Sequence, residues 1–324
     1  MKAAVIAKPG TVPAYGDFEE PVAQPGQEII AVKAAALTHL TKSRASGEHY
    51  SSEHVYPAIA GVDGVGQTAG GRRVYFALPV PPFGAMAEKA PMRASQCVPV
   101  PDNLDDVSAA ALGNPGMSCW AAFAARAQLK RGETVLVNGA TGAAGRLAVQ
   151  IAKYMGAGRV IAAGRGREAL ESLKSIGADG IIPFDLTAGH PESAQELEAV
   201  LEQEFSAGVD VVIDYLWGPS AEIILTAAAK AGRDAVPMRF VQVGSISGDD
   251  IRLPSAALRS SSTVMMGSGI NSVSMEGLLD AIEGVFHAAR PAKLQVNTKT
   301  VPLSDVEKTW NADTGSSRVV FVIN

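Results

Sequence analysis

The apolar positions of this chain follow one pattern in its first third and another in its middle. From residue 1 to about residue 115, short β-like apolar runs are separated by segments rich in proline and glycine, and long helical periods are few. This pattern predicts an irregular domain made mostly of β-strands. The strands predicted for it are Lys2–Ala7, Glu28–Ala34, Arg72–Phe76 and Gln96–Val100.

From about Ser118 onward, short apolar runs alternate with segments that have the helical period. In the first of these helices, Leu147, Ile151 and Met155 fall on one face. Alternation of this kind predicts a parallel sheet that helices cover on both faces. The predicted strands are Val135–Val137, Val160–Ala163, Gly180–Ile182, Val209–Ile213 and Arg239–Val243.

After about Gly269 the pattern is mixed, so the two ends of the chain are expected to share one domain. The predicted boundaries assign residues 1–116 and 269–324 to the mostly β domain and residues 117–268 to an inserted, doubly wound parallel-sheet domain. The fold class is therefore α/β. The elements predicted for the last part are a helix over Met275–Ala289, a strand over Leu294–Val301, a short helix near Ser304–Asn311 and a final strand over Arg318–Ile323.

A glycine-rich turn joins the first strand of the alternating region to its helix. Gly139, Gly142 and Gly145 are spaced three apart, between the apolar run Val135–Val137 and the helical positions that start at Leu147. In a dinucleotide site such glycines allow a tight turn, a close approach of the backbone to the diphosphate and close packing of the helix on the strand. The positive end of the helix then faces the negative charge. A purely structural strand-to-helix turn is the alternative interpretation.

The end of the second strand distinguishes NADP(H) from NAD(H). An Asp or Glu about 20 residues after the glycine turn would accept hydrogen bonds from a free 2′-hydroxyl. This chain has Gly164 there, followed by Arg165 and Arg167. Guanidinium groups bind a 2′-phosphate that a carboxylate would repel. Solvated surface arginines are the alternative, but cations near a helix N-terminus oppose the helix dipole. NADP(H) is the predicted cofactor.

Composition restricts the classes of partner. The chain has 324 residues, of which 47% are hydrophobic, and a net charge of −5. This size favours two domains, and the acidic balance argues against nucleic acid as a main partner. No apolar stretch approaches the roughly 20 residues that span a bilayer, and the apolar run at the N-terminus is too short for a signal peptide. The two cysteines, Cys97 and Cys119, fit a reducing cytoplasm.

Short motifs distributed over essentially the whole length belong to one enzyme superfamily: Met1–Val5, Gly61–Gly66, Phe83–Glu88, Ala109–Gly116, Ala148–Lys153, Val212–Asp214, Val243–Ser245 and Ser317–Phe321. With them the chain resembles the medium-chain dehydrogenase/reductase superfamily, and more closely its zinc-free quinone oxidoreductases, the zeta-crystallin-like group. The resemblance implies a GroES-like catalytic domain with a Rossmann domain. It also implies a homodimer that pairs through an edge strand at Thr263–Ser268.

The positions at which zinc alcohol dehydrogenases of this superfamily bind their catalytic metal carry other residues here. Thr38 stands where the first Cys would be, Val62 replaces the His, and Asn114 replaces the last Cys. These side chains offer no thiolate, imidazole or carboxylate to Zn²⁺. The four-cysteine lobe of the structural zinc is also missing. The sequence therefore predicts no metal site. By resemblance, His39 lies beside the cofactor diphosphate; a plain structural role is the alternative.

Without a metal, the site lacks the Lewis acid that alcohol oxidation needs. Reduction of an electron-poor acceptor by NADPH is easier, and quinones and α,β-unsaturated carbonyl compounds fit that requirement. We predict that Thr38, Thr41 and Asn114 are catalytic hydrogen-bond donors and that Ser118 also faces the nicotinamide. The predicted cofactor-binding residues include Gly139 and Gly164. The resemblance adds the following residues: Ala140, Thr141, Gly142, Ala143, Ala144, Arg165, Arg167, Val243, Ser245 and Arg318.

Two other functions stay open at this point. An alkenal or enoyl-thioester reductase would use the same scaffold, but it would need a dedicated proton donor, and none is visible in the sequence. An NADPH-sensing or RNA-associated binding protein is the interpretation from another class. The acidic balance and the lack of a basic patch interleaved with aromatic residues argue against RNA.

Overall fold

The computed structural model describes residues 1–187, 191–315 and 317–324, and nothing is stated for the side chain of residue 191. It divides the chain into two compact units. Unit 1 is Met1–Met117 with Ile282–Asn324, and unit 2 is Ser118–Ala281. The second boundary thus differs from the expected one, because residues 269–281 lie with unit 2. Arg126 of that unit donates hydrogen bonds to the carbonyl oxygens of Gly267 and Ser272, at 2.7 and 3.4 Å.

Unit 1 is mostly β, with one small and one large sheet. The three-stranded sheet has the order β2-β1-β4, formed by β2 (Ala14–Asp17), β1 (Lys2–Ile6) and β4 (Ala58–Ile59). The seven-stranded sheet runs β15-β16-β3-β5-β6-β8, with β7 also paired to β3. Its strands are β3 (Gln27–Ala36), β5 (Asp63–Gln67), β6 (Arg73–Ala77), β7 (Lys89–Arg93), β8 (Cys97–Pro99), β15 (Thr298–Pro302) and β16 (Arg318–Val322).

Unit 2 contains a six-stranded sheet in the order β11-β10-β9-β12-β13-β14, in which every pair is parallel. Counted within the unit this is the order 3-2-1-4-5-6 of the Rossmann fold, and β9 lies where the order reverses. The strands are β9 (Thr134–Asn138), β10 (Arg159–Gly164), β11 (Gly180–Pro183), β12 (Val211–Asp214), β13 (Met238–Gln242) and β14 (Thr263–Gly267).

The apolar runs in these strands form the core of unit 2. Leu136, Ile161 and Val212 are fully buried. Strands that are buried on both faces read as continuous apolar runs, which is why the sequence predicts them well. The helices of the chain are α1 (His39–Ser46), α2 (Asp106–Ala121), α3 (Ala143–Tyr154), α4 (Arg167–Leu173), α5 (Pro191–Ala207), α6 (Gly218–Ala231), α7 (Ser255–Arg259), α8 (Met275–Ala289) and α9 (Val306–Thr309).

Some sequence expectations fail at the level of individual elements. The expected strand at Leu294–Val301 begins only at Thr298, and the helix near Ser304–Asn311 is a 3-10 turn followed by the short α9. The sequence shows few helical periods before residue 115, yet α2 occupies Asp106–Ala121. In the part of the chain that the structure describes, no helix combines the length and the apolar character that crossing a membrane requires.

Helix α2 has small residues where other helices have large apolar ones, because another part of unit 1 packs against its backbone. A Cβ at Gly113 would lie 2.1 Å from Cε2 of Tyr75, and one at Gly116 would lie 2.7 Å from Cγ1 of Val285. Tyr75 is itself fully buried, with an edge-on contact to Phe286 at a centroid distance of 5.6 Å. These close contacts hide the helix from a search for apolar periodicity.

We expect Gly113→Ala to lower the free energy of unfolding by about 1–3 kcal/mol, because the added methyl group overpacks against the Tyr75 ring. Urea unfolding followed by circular dichroism measures this change. Gly16→Ala is the matched control, since nothing lies within 4 Å of a Cβ at that position. Equal stability of the two variants would contradict the close packing of α2 on Tyr75.

Candidate active site

The turn between β9 and α3 has the geometry that the glycine pattern predicts. Gly139 has a φ of +85°, a conformation that L-residues with a Cβ rarely adopt. The amides of Gly139 and Ala140 both donate to the carbonyl oxygen of Ala163, at 2.9 Å each. These bonds attach the turn to the neighbouring strand β10, so the loop is fixed against the sheet before any ligand binds.

Two of the glycines in this turn differ in what requires them. A Cβ at Gly145 would lie 2.2 Å from the carbonyl oxygen of Gly139, so the fold itself excludes any side chain there. Gly142 caps the start of α3 with φ −71°, and a Cβ on it would meet only the Gly139 oxygen, at 3.7 Å. The fold therefore tolerates a side chain at residue 142. Its absence leaves the first turn of α3, with Ala143 and Ala144, open to a close ligand.

The end of β10 carries the residues predicted to select the cofactor. Gly164 is buried, and a Cβ on it would lie 3.5 Å from Oγ1 of Thr141, which is ordinary contact. The structure thus brings Gly164 beside the glycine turn. Arg165 and Arg167 are exposed, on either side of Gly166, which caps α4 with a φ of +78°. The two guanidinium groups are accessible to an anion at this edge of the sheet.

Val243 and Ser245 lie in the loop after β13, next to the end of β12. The amide of Val243 donates to the carbonyl oxygen of Asp214 at 2.7 Å. A Cβ at Gly244 would lie 2.7 Å from the carbonyl oxygen of Tyr215, so the loops that follow the two strands are in close contact. Ser245 is exposed. This places both residues at the carboxyl ends of the parallel strands, where ligands of doubly wound sheets bind.

Asp214 is a buried carboxylate that sequence reasoning did not assign to the site. Its Oδ1 accepts hydrogen bonds from Asn138 Nδ2 at 2.8 Å and from the amide of Leu216 at 3.0 Å. Trp217, which has the unusual φ of +58°, also donates its amide to this carboxylate. Burial raises the pKa of Asp214 to about 6, although these hydrogen bonds oppose the rise. The carboxylate holds together the loops that follow β9 and β12.

Ser118 is half-buried in unit 2, near the buried side chain of Tyr215. Burial raises the pKa of Tyr215 well above its ordinary value, the neighbouring thiol of Cys119 raises it further, and Ser118 opposes the rise. The Cys119 sulfur lies 3.9 Å from the carbonyl oxygen of Ala144. Ser118 thus belongs to a buried polar group beside the first turn of α3.

In unit 1 the two predicted threonines form a buried pair. Thr38 caps α1, and its Oγ1 accepts the amide hydrogen of Thr41 at 3.0 Å. The two hydroxyl oxygens are 2.9 Å apart, and either can be the donor. Both side chains are buried. Because Thr38 accepts the cap bond, the pair holds one hydroxyl hydrogen in the mutual bond and leaves the other for a further acceptor.

Asp63 and Tyr75 form a second buried pair in unit 1, which the sequence did not reveal. The Tyr75 hydroxyl donates to Oδ2 of Asp63 at 2.8 Å, and both residues are almost completely buried. Burial raises the pKa of Asp63 to about 7, while the Tyr75 hydrogen bond and the charge of Arg318 oppose the rise. Burial also lowers the pKa of His39, helped by the charges of Arg318 and Lys42. Electrostatically, Arg318 therefore acts on both Asp63 and His39.

Asn114 lies in α2, half-buried, and follows Gly113 against which the Tyr75 ring packs. Unit 1 therefore contains all three positions at which, by the resemblance, zinc alcohol dehydrogenases bind their metal: Thr38, Val62 and Asn114. Within residues 1–187, 191–315 and 317–324, no group of three or more His, Cys, Asp or Glu side chains has an arrangement that could hold a metal ion.

Comparison with known proteins finds several oxidoreductases that are similar to this chain. Residues 143–284 match the family described as zinc-binding dehydrogenase, a span that contains none of the three zinc-ligand positions. The chain is 27% identical over 351 aligned residues to a probable NADPH-dependent quinone reductase of Emericella nidulans, and the match covers 96% of each protein. It is 36% identical over 125 residues, or 39% of its length, to an NADP⁺-dependent 2-alkenal reductase of Nicotiana tabacum, of which 34% is covered.

Among solved structures, the quinone oxidoreductase from Thermus thermophilus, for which a complex with NADPH is also described, matches with a TM-score of 0.79. That protein is 26% identical, and the match covers 100% of both chains. Over its whole length the chain is thus similar to NADPH-dependent quinone reductases, and its fold is that of the solved quinone oxidoreductase.

The raised pKa of Asp63 makes a prediction about stability. The ordinary pKa is 3.8, so between pH 4 and pH 7 the folded protein keeps a proton that the unfolded chain has lost. This proton stabilises the fold at low pH, and its contribution falls as the pH rises to 7. Relative to Asp63→Asn, we expect the wild type to lose roughly 2–4 kcal/mol of unfolding free energy between pH 4 and pH 8.

Urea unfolding of both proteins at half-unit pH steps gives the difference curve. The asparagine of the variant can still accept the Tyr75 hydrogen bond, so the substitution isolates the charge. The exposed Asp102→Asn is the control and should give a flat difference. A flat curve for Asp63→Asn as well would show that the carboxyl has its ordinary pKa in the folded state.

Proposed function

We propose that this protein is an NADPH-dependent reductase that transfers hydride to quinones or other electron-poor α,β-unsaturated carbonyl compounds without a catalytic metal ion. The observation that carries the proposal is the buried Thr38–Thr41 hydroxyl pair; by the resemblance, Thr38 stands at the position of the first zinc ligand of zinc alcohol dehydrogenases. A hydroxyl pair cannot act as a Lewis acid, but it donates a hydrogen bond to a carbonyl oxygen that becomes negative during reduction.

The residues of unit 2 fit an NADPH cofactor. NADP(H) is the cofactor of this oxidoreductase, as in its family relatives with described NADPH dependence or complexes. The fold does not require a glycine at residue 142, and the missing side chain leaves room for a diphosphate there. The first turn of α3 offers backbone amide donors to that diphosphate. Arg165 and Arg167, exposed beside Gly164, would hold the 2′-phosphate. Val243 and Ser245 would border the nicotinamide.

When bound, NADPH supplies the hydride. The residues of the chain bind the acceptor and the cofactor and stabilise the charge that develops. Thr38, Thr41 and Asn114 would hydrogen-bond the acceptor oxygen, and that oxygen gains the electron pair displaced when hydride adds to the β-carbon or to the quinone ring. One proton completes the reduction. Ser118, whose neighbour Cys119 contacts the carbonyl oxygen of Ala144 in the first turn of α3, would face the nicotinamide. Arg318, with His39, would add positive charge near the diphosphate.

Quinones and enones remain two acceptor classes for the same site. The Emericella nidulans relative is named for quinones and the Nicotiana tabacum relative for 2-alkenals. Both acceptor classes present a carbonyl conjugated to the atom that accepts hydride, so the same hydroxyl pair serves both. Neither class requires a metal ion, because the conjugated system itself stabilises the added electron pair.

We also propose that two copies of the chain associate through β14. This strand is an edge of the six-stranded sheet, and its Val264 is 46% exposed. An exposed edge strand offers unpaired backbone groups to a second copy, and a two-fold axis pairs the strand with itself. The cytoplasmic location expected from the cysteine content stays a prediction.

Arg165→Ala tests the cofactor assignment. We expect the dissociation constant of NADPH to rise roughly 10- to 100-fold, because charge-assisted hydrogen bonds to the 2′-phosphate are lost. The dissociation constant of NADH should change less than twofold. Isothermal titration calorimetry with both cofactors measures this, and Arg259→Ala, another exposed arginine of unit 2, is the control. Equal weakening of NADPH and NADH would place the 2′-phosphate elsewhere.

Thr41→Val tests the acceptor chemistry while sparing the helix cap, because the cap uses the amide of residue 41 and the hydroxyl of Thr38. We expect kcat to fall about 10- to 100-fold, since one donor to the developing oxyanion is lost. The NADPH dissociation constant should stay the same. Steady-state oxidation of NADPH with 1,4-naphthoquinone, methyl vinyl ketone and an enoyl thioester measures kcat.

Each reaction is run with and without a metal chelator. Turnover of the quinone or the enone that the chelator does not change supports the proposal. Loss of turnover on chelation would overturn the metal-free mechanism, and turnover of the thioester alone would assign the enzyme to that acceptor class. Tight NADPH binding without turnover of any acceptor would instead favour a cofactor-sensing protein.

A further inference from the structure

Unit 1 contains a cavity of about 80 Å³ beside the Thr38–Thr41 pair. It lies between helix α1 and the segments 53–62 and 79–83, all of which belong to the same unit. Its wall is apolar at Ile6, Tyr56 and Phe83. Thr41 and Arg44 contribute polar groups from α1. The cavity thus joins the proposed oxyanion donor to a space lined by apolar side chains, by Arg44 and by Glu53 and His54.

Arg44 is the unusual group in this cavity. Its side chain is only 16% exposed, yet the nearest carboxylate, Glu53, lies 3.6 Å away and is 59% exposed. A charge-assisted hydrogen bond between such groups is normally 2.7–2.9 Å long. Among the residues that the structure describes, none accepts a hydrogen bond from the guanidinium of Arg44. Burial lowers the pKa of Arg44, and Glu53 opposes this effect.

Arg44 and Glu53 differ in exposure, and this difference indicates that the ion pair between them is weak. Exposed ion pairs contribute little to stability, and an exposed glutamate gains almost as much from water as from a distant cation. The Arg44 side chain is only 16% exposed, so water substitutes for a missing partner less fully than it does for Glu53, although solvent still reaches its guanidinium nitrogens. Glu53 therefore neutralises Arg44 without satisfying it. A second carboxylate that entered the cavity would replace Glu53 and form the short, bidentate contact that is missing.

The size of the cavity limits the length of the ligand. Thr41 and Arg44 lie three residues apart on α1, on one helix face, and both line the cavity of about 80 Å³. A ligand that has a carbonyl oxygen at the hydroxyl of Thr41 and a carboxylate at Arg44 is therefore limited to a few carbon atoms. A short 4-oxo-2-alkenoate meets this limit, and its hydrocarbon part would contact the Tyr56 and Phe83 side of the wall.

We propose that Arg44 recognises the carboxylate of a short acidic enone, so that the preferred acceptors of this enzyme are α,β-unsaturated ketones or aldehydes that carry an acid group. The inference rests on the proposed function and names its substrate class. In the reaction, the hydride of NADPH forms a C–H bond at the β-carbon and the alkene π-bond breaks. Its electron pair moves through the enolate, one proton is taken up, and NADP⁺ and the saturated oxo acid result.

The test compares (E)-4-oxo-2-pentenoate with its methyl ester, two acceptors that differ in the charge at one end. For the acid, we expect Arg44→Met to lower kcat/KM about 30- to 100-fold, because a charge-assisted contact is lost. For the ester, kcat/KM should change less than threefold. Arg44→Lys should restore part of the activity with the acid, since it restores the charge without the bidentate geometry. Arg93→Met, an exposed arginine of unit 1 outside the cavity, should behave as the wild type does.

Glu53→Gln gives a second test that does not remove Arg44. We expect it to lower KM for the acid about two- to fivefold, because the competing carboxylate is gone, and to leave KM for the ester unchanged. If Arg44→Met fails to fold, this variant and Arg44→Lys still decide the question. Equal effects on acid and ester in these variants, or a wild type that prefers the ester, would overturn the inference.

A binding measurement separates this inference from the proposed function. The saturated product 4-oxopentanoate and its methyl ester are titrated into the wild type and Arg44→Lys in the presence of NADP⁺. Binding of the acid that weakens tenfold or more in Arg44→Lys supports recognition of the carboxylate, even if no enone is reduced and the proposed function fails. Turnover of neutral quinones and enones without any preferential binding of the acid would overturn the inference and leave the proposed function intact.

Discussion

The approach of α3 to the carbonyl oxygen of Gly139 is the constraint on which the nucleotide-binding half of the molecule depends. Gly145 permits it, because any Cβ there would lie 2.2 Å from that oxygen. The helix can therefore start directly at the carboxyl end of β9, the strand at which the sheet order reverses. Its amide donors and dipole are thus placed at the edge of the sheet where the loops after β10 and β12 also begin, the position that we propose for the diphosphate. The fold would accept a side chain at Gly142 or at Gly164, so these two glycines serve to leave space for a ligand. Only Gly145 is required by the packing of the helix itself.

Among the residues that the structure describes, each unit also holds a buried aspartate that connects two separate elements. Asp63 ties β5 to β6 through the Tyr75 hydroxyl, and Asp214 ties the loops after β9 and β12 through Asn138 and two amides. Burial raises both pKa values, so each carboxyl costs stability when it is charged. The hydrogen bonds offset that cost only in one geometry, which makes these groups specify local structure more than they stabilise it. In unit 1 this fixed geometry directly follows Val62 in the chain, the position that the resemblance aligns with a zinc-binding His.

The sequence predicts the doubly wound sheet well because buried parallel strands are continuous apolar runs bounded by turns. It also predicts the glycine turn, because the positive φ of Gly139 and the close contact at Gly145 both require glycine, and glycine is visible in the sequence. It fails for α1, which presents His, Thr, Lys and Arg instead of an apolar face, and for α2, where tertiary contacts with Tyr75 replace large side chains by glycine. The Asp63–Tyr75 and Arg44–Glu53 pairs escape it for another reason. The two partners of each pair meet only when the chain folds, and no sequence motif or helical spacing predicts that they are neighbours.

Positive charge recognises anions in two different ways in this protein. Arg165 and Arg167 are exposed, so water and salt screen their attraction for a phosphate, and in the proposed cofactor site they would discriminate mainly by forming several charge-assisted bonds with a doubly charged group. Arg44 is largely buried, so its charge is screened less, and its position is set by α1 before a ligand arrives. A buried charge whose partner is exposed and distant is costly for the folded protein alone. That cost is recovered only when a ligand carboxylate of the right length completes the pair. An exposed arginine therefore suits a cofactor that must be exchanged in every cycle, whereas a buried one suits selection among acceptors that share the same conjugated carbonyl.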